Sequence, residues 1–118
     1  MAIIPLPDVV IGKSIVDAAV IDTLETVFNS NNLAEVEGCV LWIENTGPDT
    51  VTVVNVEVSP DNITFFTLDT ATFANLAAAG KKFLKIEGFP FFRVQANCAT
   101  LGSTTLDIGY TVKGGFGI

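Results

Sequence analysis

"TTLDIGYTVKG", residues Thr104–Gly114, decides the fold. Leu106, Ile108, Tyr110 and Val112 fall on one side of an extended chain, and Thr105, Asp107, Thr111 and Lys113 fall on the other. Successive side chains of a strand point to opposite faces. A period of two therefore specifies a strand with one face on a core and the other meeting solvent or a neighbour.

The same reading extends toward the N-terminus. "FFRVQANCAT" (91–100) and "KKFLKIEG" (81–88) are two more strands, set off by "LGS" and "FP". "VEGCVLWIEN" (Val36–Asn45) leads through "TGPDT" into "VTVVNVEV", a β-branched run that reads as the second arm of a hairpin. Pro60 in "SPDN" fixes φ in a turn, and "ITFFTLD" resumes an extended pattern. "ATFANLAAAG" (71–80) is read as a loop whose Phe73 and Leu76 plug the core, in preference to one or two helical turns. Before residue 36, Val16, Val20, Leu24 and Val27 have helical spacing, and Ser14 with Asp17 resembles a capping box. The β-branched and Thr content there favours two strands, with the helix kept as the alternative. About eight strands without alternating helices make an all-β, antiparallel β-sandwich, with the jelly roll as the arrangement. The expected organisation is an extended arm over residues 1–12 and a single sandwich domain over 13–118.

Composition limits the function. Charged residues are 16% of the chain, below the roughly one quarter usual for soluble domains, while hydrophobic residues are 49%. Apolar surface must be covered, and self-association is one way to cover it. A net charge of −7 argues against nucleic acid as a partner, and no segment has the roughly 20 apolar residues needed for membrane insertion. The N-terminus also lacks the pattern of a classical signal peptide: no base precedes its apolar run, which Pro5, Pro7 and Asp8 interrupt. Residues 1–69 carry eleven acids and one base, a net −10, whereas residues 70–118 carry two acids and five bases, a net +3. If the fold separates these portions, the subunit is electrically polar and suits head-to-tail stacking; if sheet pairing interleaves them, the asymmetry cancels.

The chemistry of catalysis is thin. Without histidine there is no Ser-His or Cys-His nucleophile, and the usual zinc and haem ligand sets are missing. No enzyme activity, cofactor or metal is expected, and "GPDT" and "SPDN" are explained as turns. Cys39 and Cys98 have three readings: a bond across the sandwich, buried thiols, or links between subunits. Trp42 and Tyr110 sit mid-strand and are expected in the core. The adjacent pairs Phe65-Phe66 and Phe91-Phe92 each put one ring on an outer face, to be covered by a neighbouring subunit or by a loop such as 71–80.

"MAIIPLPDVV" is apolar and stiffened by two prolines, which keep it extended and deny it a place within its own sheet. Ile3, Ile4, Pro5, Leu6, Pro7, Val9 and Val10 are the expected inter-subunit arm, with Phe116 as a secondary contact. The alternative is an edge strand on its own domain.

"EGCVLWIENTGPDTVTVVNVEVSPDNITFF", "AAAGKKFLKIEGFPFFRVQAN" and "LGSTTLDIGYTVKG" together resemble the endospore appendage subunits of spore-forming bacteria, and more loosely small phage virion proteins. The likeness covers roughly residues 36–114 and ends in Tyr110-Thr111-Val112. It implies a jelly-roll subunit whose N-terminal connector reaches a neighbour. Strand augmentation would then build a pilus-like homopolymer at an extracellular, spore or virion surface. Arms of that family carry cysteines, whereas residues 1–30 here carry none. Two alternatives accompany this reading: a phage decoration or tail protein, and a carbohydrate- or surface-binding module, which would expose Trp42 or Tyr110.

Overall fold

The computed structural model describes residues 10–30, 32–33 and 36–114. Their eight strands are β1 (Val10–Ile21), β2 (Glu25–Asn29), β3 (Val36–Asn45), β4 (Val53–Ser59), β5 (Phe66–Asp69), β6 (Lys81–Ile86), β7 (Phe91–Asn97) and β8 (Ser103–Gly114). They form two four-stranded antiparallel sheets, ordered β1-β8-β3-β6 and β2-β7-β4-β5. The first strand pairs with the last, the second with the seventh, the third with the sixth and the fourth with the fifth. This is one long hairpin rolled up, the jelly-roll arrangement. Residues 10–29 hold two strands, as their β-branched content indicates, and not a helix.

The hairpin expected between Val36–Asn45 and the following run does not form. β3 and β4 lie in different sheets, and the only strands adjacent in both sequence and sheet are β4 and β5. A buried polar cluster at the end of β3 accounts for the crossing. The Asn45 side-chain amide donates to the backbone carbonyls of Asp49 at 2.6 Å and Leu76 at 2.9 Å. Its carbonyl accepts from the Thr104 hydroxyl at 2.8 Å and the Gly47 amide at 3.2 Å. The Asp49 carboxylate accepts from the amides of Leu101 and Gly102. Gly47 packs so closely on Thr104 that a Cβ there would overlap it. Thr46 bonds to β8 through Thr105, and the Thr52 amide then donates to Asn97 at the end of β7, so residues 46–52 step from one sheet to the other.

The β4–β5 turn is locally closed. The Asp61 carboxylate accepts from the amides of Ile63 and Thr64, which hold its carboxyl below the ordinary carboxylate range. Asn62 adopts a positive φ of 64°, a conformation Asn tolerates better than most residues.

Both sheets bury their alternate residues between them. Leu106, Ile108, Tyr110 and Val112 of β8 meet Val54, Val56 and Val58 of β4 and Phe92, Val94 and Ala96 of β7 in one core. Phe28, Phe92 and Tyr110 bridge the sheets, with ring centroids 5.4–5.8 Å apart and Tyr110 edge-on to both phenylalanines. Register shifts in β1 between Ile15 and Ala18, and in β2 between Thr26 and Phe28, mark bulges. The second brings Phe28 opposite Val94 and into the core. The loop reading of residues 71–80 holds: Phe73 and Leu76 are buried, and Leu76 bridges to Val51.

Removing the Phe92 ring opens a cavity in the middle of the aromatic cluster. Phe92→Ala is expected to cost about 3–5 kcal/mol of stability, measured by denaturant unfolding.

Candidate functional site

A sandwich of two open sheets has four edge strands, here β1 and β6 in one sheet and β2 and β5 in the other. Edge strands present unpaired backbone groups to any chain that can pair with them. β5 is only four residues long and exposes Phe66 and Leu68, while β6 exposes Phe83 among Lys81, Lys82 and Lys85. The neighbouring turns add Ile63 and Leu101, both bare to solvent. The lysines guard β6 against indiscriminate pairing while its backbone remains able to accept a specific strand. The sequence reading did not single out these edges; lysines interleaved with Phe83 and Leu84 are the signal that pointed to one.

The expected arm lies mostly beyond the described residues. Ile3, Ile4, Pro5, Leu6, Pro7 and Val9 are outside them, as is Phe116. Val10 opens β1, where its backbone is opposite Lys113 of the same chain; Ile11 and Gly12 follow opposite Val112 and Thr111. Residues 10–12 therefore belong to the sandwich through pairing with β8. The register also places the start of β1 and the end of β8 side by side at one end of the domain.

The aromatic residues divide differently from expectation. Tyr110 is buried, but Trp42 is on the outer face of its sheet, because β3 turns Leu41 and Ile43 inward. Its indole covers the backbone of β8 at Gly109, where a Cβ would overlap the ring. Phe92 is in the core and Phe91 is half-buried. Over Phe65 the Arg93 guanidinium lies 3.8 Å from the ring centroid while donating to Glu57 at 2.6 Å. Arg93 is thereby neutralised within its sheet. The acidic and basic portions of the chain interleave in both sheets, and the clearest basic remnant is the β6 edge.

Both cysteines are buried free thiols. Cys39 is opposite Val112, whereas the Cys98 thiol donates to the Val20 carbonyl, and Val20 is opposite Thr104. Val112 and Thr104 are eight residues apart on β8, roughly 25 Å at ~3.3 Å per residue, so no bond can join the thiols within one chain. Burial pushes the Cys39 thiol from 9.0 up to about 11. Burial also raises Cys98, and the nearby Asp49 carboxylate raises it further. Among the described residues no cluster of three His, Cys, Asp or Glu side chains is placed to hold a metal ion, and no helix is long and apolar enough to cross a membrane.

No protein-family model matches this sequence, and no curated protein matches it. Among solved structures, one reported as "Bacillus endospore appendages form a novel family of disulfide-linked pili" aligns over 91% of this chain and 89% of its own, with a TM-score of 0.54 and 12% identity. This chain shares the fold of that appendage subunit. PirA aligns over 86% of this chain and 92% of its own, with a TM-score of 0.51 and 14% identity. The resemblance drawn from residues 36–114 thus extends, at the level of fold, across nearly the whole chain.

Two measurements test the local geometry. The thiolate is the reactive form, so alkylation at pH 8 is expected to leave both cysteines unmodified in the native protein and to modify both after unfolding. The unfolded chain releases the Cys39 proton at lower pH than the native one, so the Cys39 contribution lowers native stability as pH rises from 9.0 toward about 11. Gly109→Ala forces the indole off β8 and is expected to cost about 1–3 kcal/mol and to shift the emission of Trp42, the chain's single tryptophan.

Proposed function

We propose that this chain is a structural subunit that self-assembles, head to tail, into an extracellular filament. The observation that carries this reading is the jelly-roll fold shared over nearly its full length with a pilus-forming appendage subunit. The mechanism is strand addition, in which main-chain hydrogen bonds supply affinity and alternating side chains set register. A head-to-tail contact that does not close into a ring propagates as a helical fibre.

Residues 1–9 are the donor segment, with Ile3, Ile4, Leu6 and Val9 as its apolar contacts. Pro5 and Pro7 keep the segment extended before it binds, which reduces the entropy lost on docking. Nine residues reach about 30 Å when extended, enough to run alongside a neighbouring strand. The adjacent starts of the N- and C-terminal segments support Phe116 as a second contact of the same joint. The short β5 edge with exposed Phe66 and Leu68, and the β6 edge with exposed Phe83, are the acceptor surfaces a neighbour has available.

The thiols set this assembly apart from a disulfide-linked one. Both are buried and residues 1–30 contain no cysteine, so this polymer is held by burial and strand pairing.

Negative-stain microscopy of the full chain is expected to show filaments that persist in reducing agent. A chain lacking residues 1–9 is expected to be a folded monomer that no longer polymerises. A stable full-length monomer by light scattering would overturn the proposal, and unfolding of the shortened chain would make the segment part of the subunit's own core.

A further inference from the structure

Phe83, Trp42 and Gly109 lie in one row across β6, β3 and β8. With no side chain at 109, the indole settles over β8 and leaves an aromatic floor on the outside of the sheet. Beside it opens a shallow cavity of about 250 Å³ lined by Trp42, Glu44, Lys81, Lys82 and Phe83, with Phe83 66% exposed. This is just under the roughly 300–1,000 Å³ of clefts that enclose drug-sized ligands. It suits a small cyclic group laid on the rings.

Among the described residues, no ion pair or hydrogen bond engages the side chains of Glu44, Lys81 or Lys82, or the indole N–H of Trp42. Two other bases are paired, Arg93 with Glu57 and Lys85 with Glu87. Lys81 is directly opposite Glu44 across β6 and β3, so the lining carries two ammonium groups against one carboxylate, a net +1 in a chain of net charge −7. A purely apolar peptide seated there would leave these charges without partners, at a desolvation cost. A nucleic acid strand would need several further phosphate contacts and would meet a net negative protein.

We propose that this shelf binds an acidic saccharide of the hexuronic acid class. The C–H face of a pyranose ring stacks on Trp42 and Phe83, and its carboxylate pairs with Lys81 or Lys82. Glu44 accepts from a ring hydroxyl, and the indole N–H is free to donate to another. The site lies within one subunit and does not depend on the filament.

Because Trp42 is the single tryptophan, its emission reports the site directly. Titrating the full chain with an oligogalacturonate is expected to give a saturable emission change. The double variant Lys81→Ala, Lys82→Ala and the single variant Phe83→Ala alter exposed positions and keep the reporter. Each is expected to weaken the response about tenfold with unfolding curves near those of the parent chain. A neutral cello-oligosaccharide of the same length is expected to bind more weakly by a similar factor. Absence of a saturable change, an undiminished response in the lysine variant, or an equal response to the neutral sugar would each overturn the proposal. Emission that depends on protein concentration without saccharide would instead assign the shelf to a second copy of the chain.

Discussion

The sandwich depends on the pairing of its first strand with its last. β8 lies between β1 and β3, hydrogen-bonded to both, and carries Leu106, Ile108, Tyr110 and Val112 into the core. The sheet built around it needs residues from both ends of the chain. Loop-closure entropy must be met before such distant contacts return any stability. The expected folding behaviour is therefore slow and all-or-none. The locally closed β4–β5 turn is the part of the architecture that needs no distant partner.

The second constraint is polar. Asn45 receives and donates at the point where the chain leaves one sheet for the other, joining the crossover to loop 71–80 and to β8. A buried amide satisfied on both its oxygen and its nitrogen favours one path for the chain over its competitors, because any other path leaves those groups without partners. Asp49 extends the arrangement to the β7–β8 turn through the amides of Leu101 and Gly102. Polar groups thus direct the crossover while apolar packing supplies the bulk of the stability.

Much of this was legible in the residues. The alternation of Thr104–Gly114, the span Val36–Asn45 and the plugging role of Phe73 and Leu76 all follow from side-chain period and turn chemistry. What a period of two cannot reveal is which sheet a strand joins. "TGPDT" has the look of a hairpin turn, and only the partners of Asn45, up to 59 residues distant, make it a crossover. Trp42 was misplaced for a related reason. In "CVLWIEN" apolar residues occupy both faces of the strand, so hydrophobicity alone does not say which points inward; the bare backbone at Gly109, known only through register, gives the indole its outer seat. Phe91 and Phe92 straddle their sheet as read, but neither ring of the other pair is in the core: Phe66 is exposed and Phe65 lies under Arg93, a contact that no local pattern encodes. The exposed edges were missed because edge position is a property of topology.

The side-by-side start of β1 and end of β8 divides the domain into two unlike poles. Val10 and Gly114 are at one pole, whereas the turns after β1, β3 and β7 gather at the other, where Asp22, Pro48 and Leu101 are open to solvent. Peptide grafted into those turns would project away from the pole where the first and last strands meet. The domain thus has the layout of a display scaffold, with its open turns at the pole opposite Val10 and Gly114.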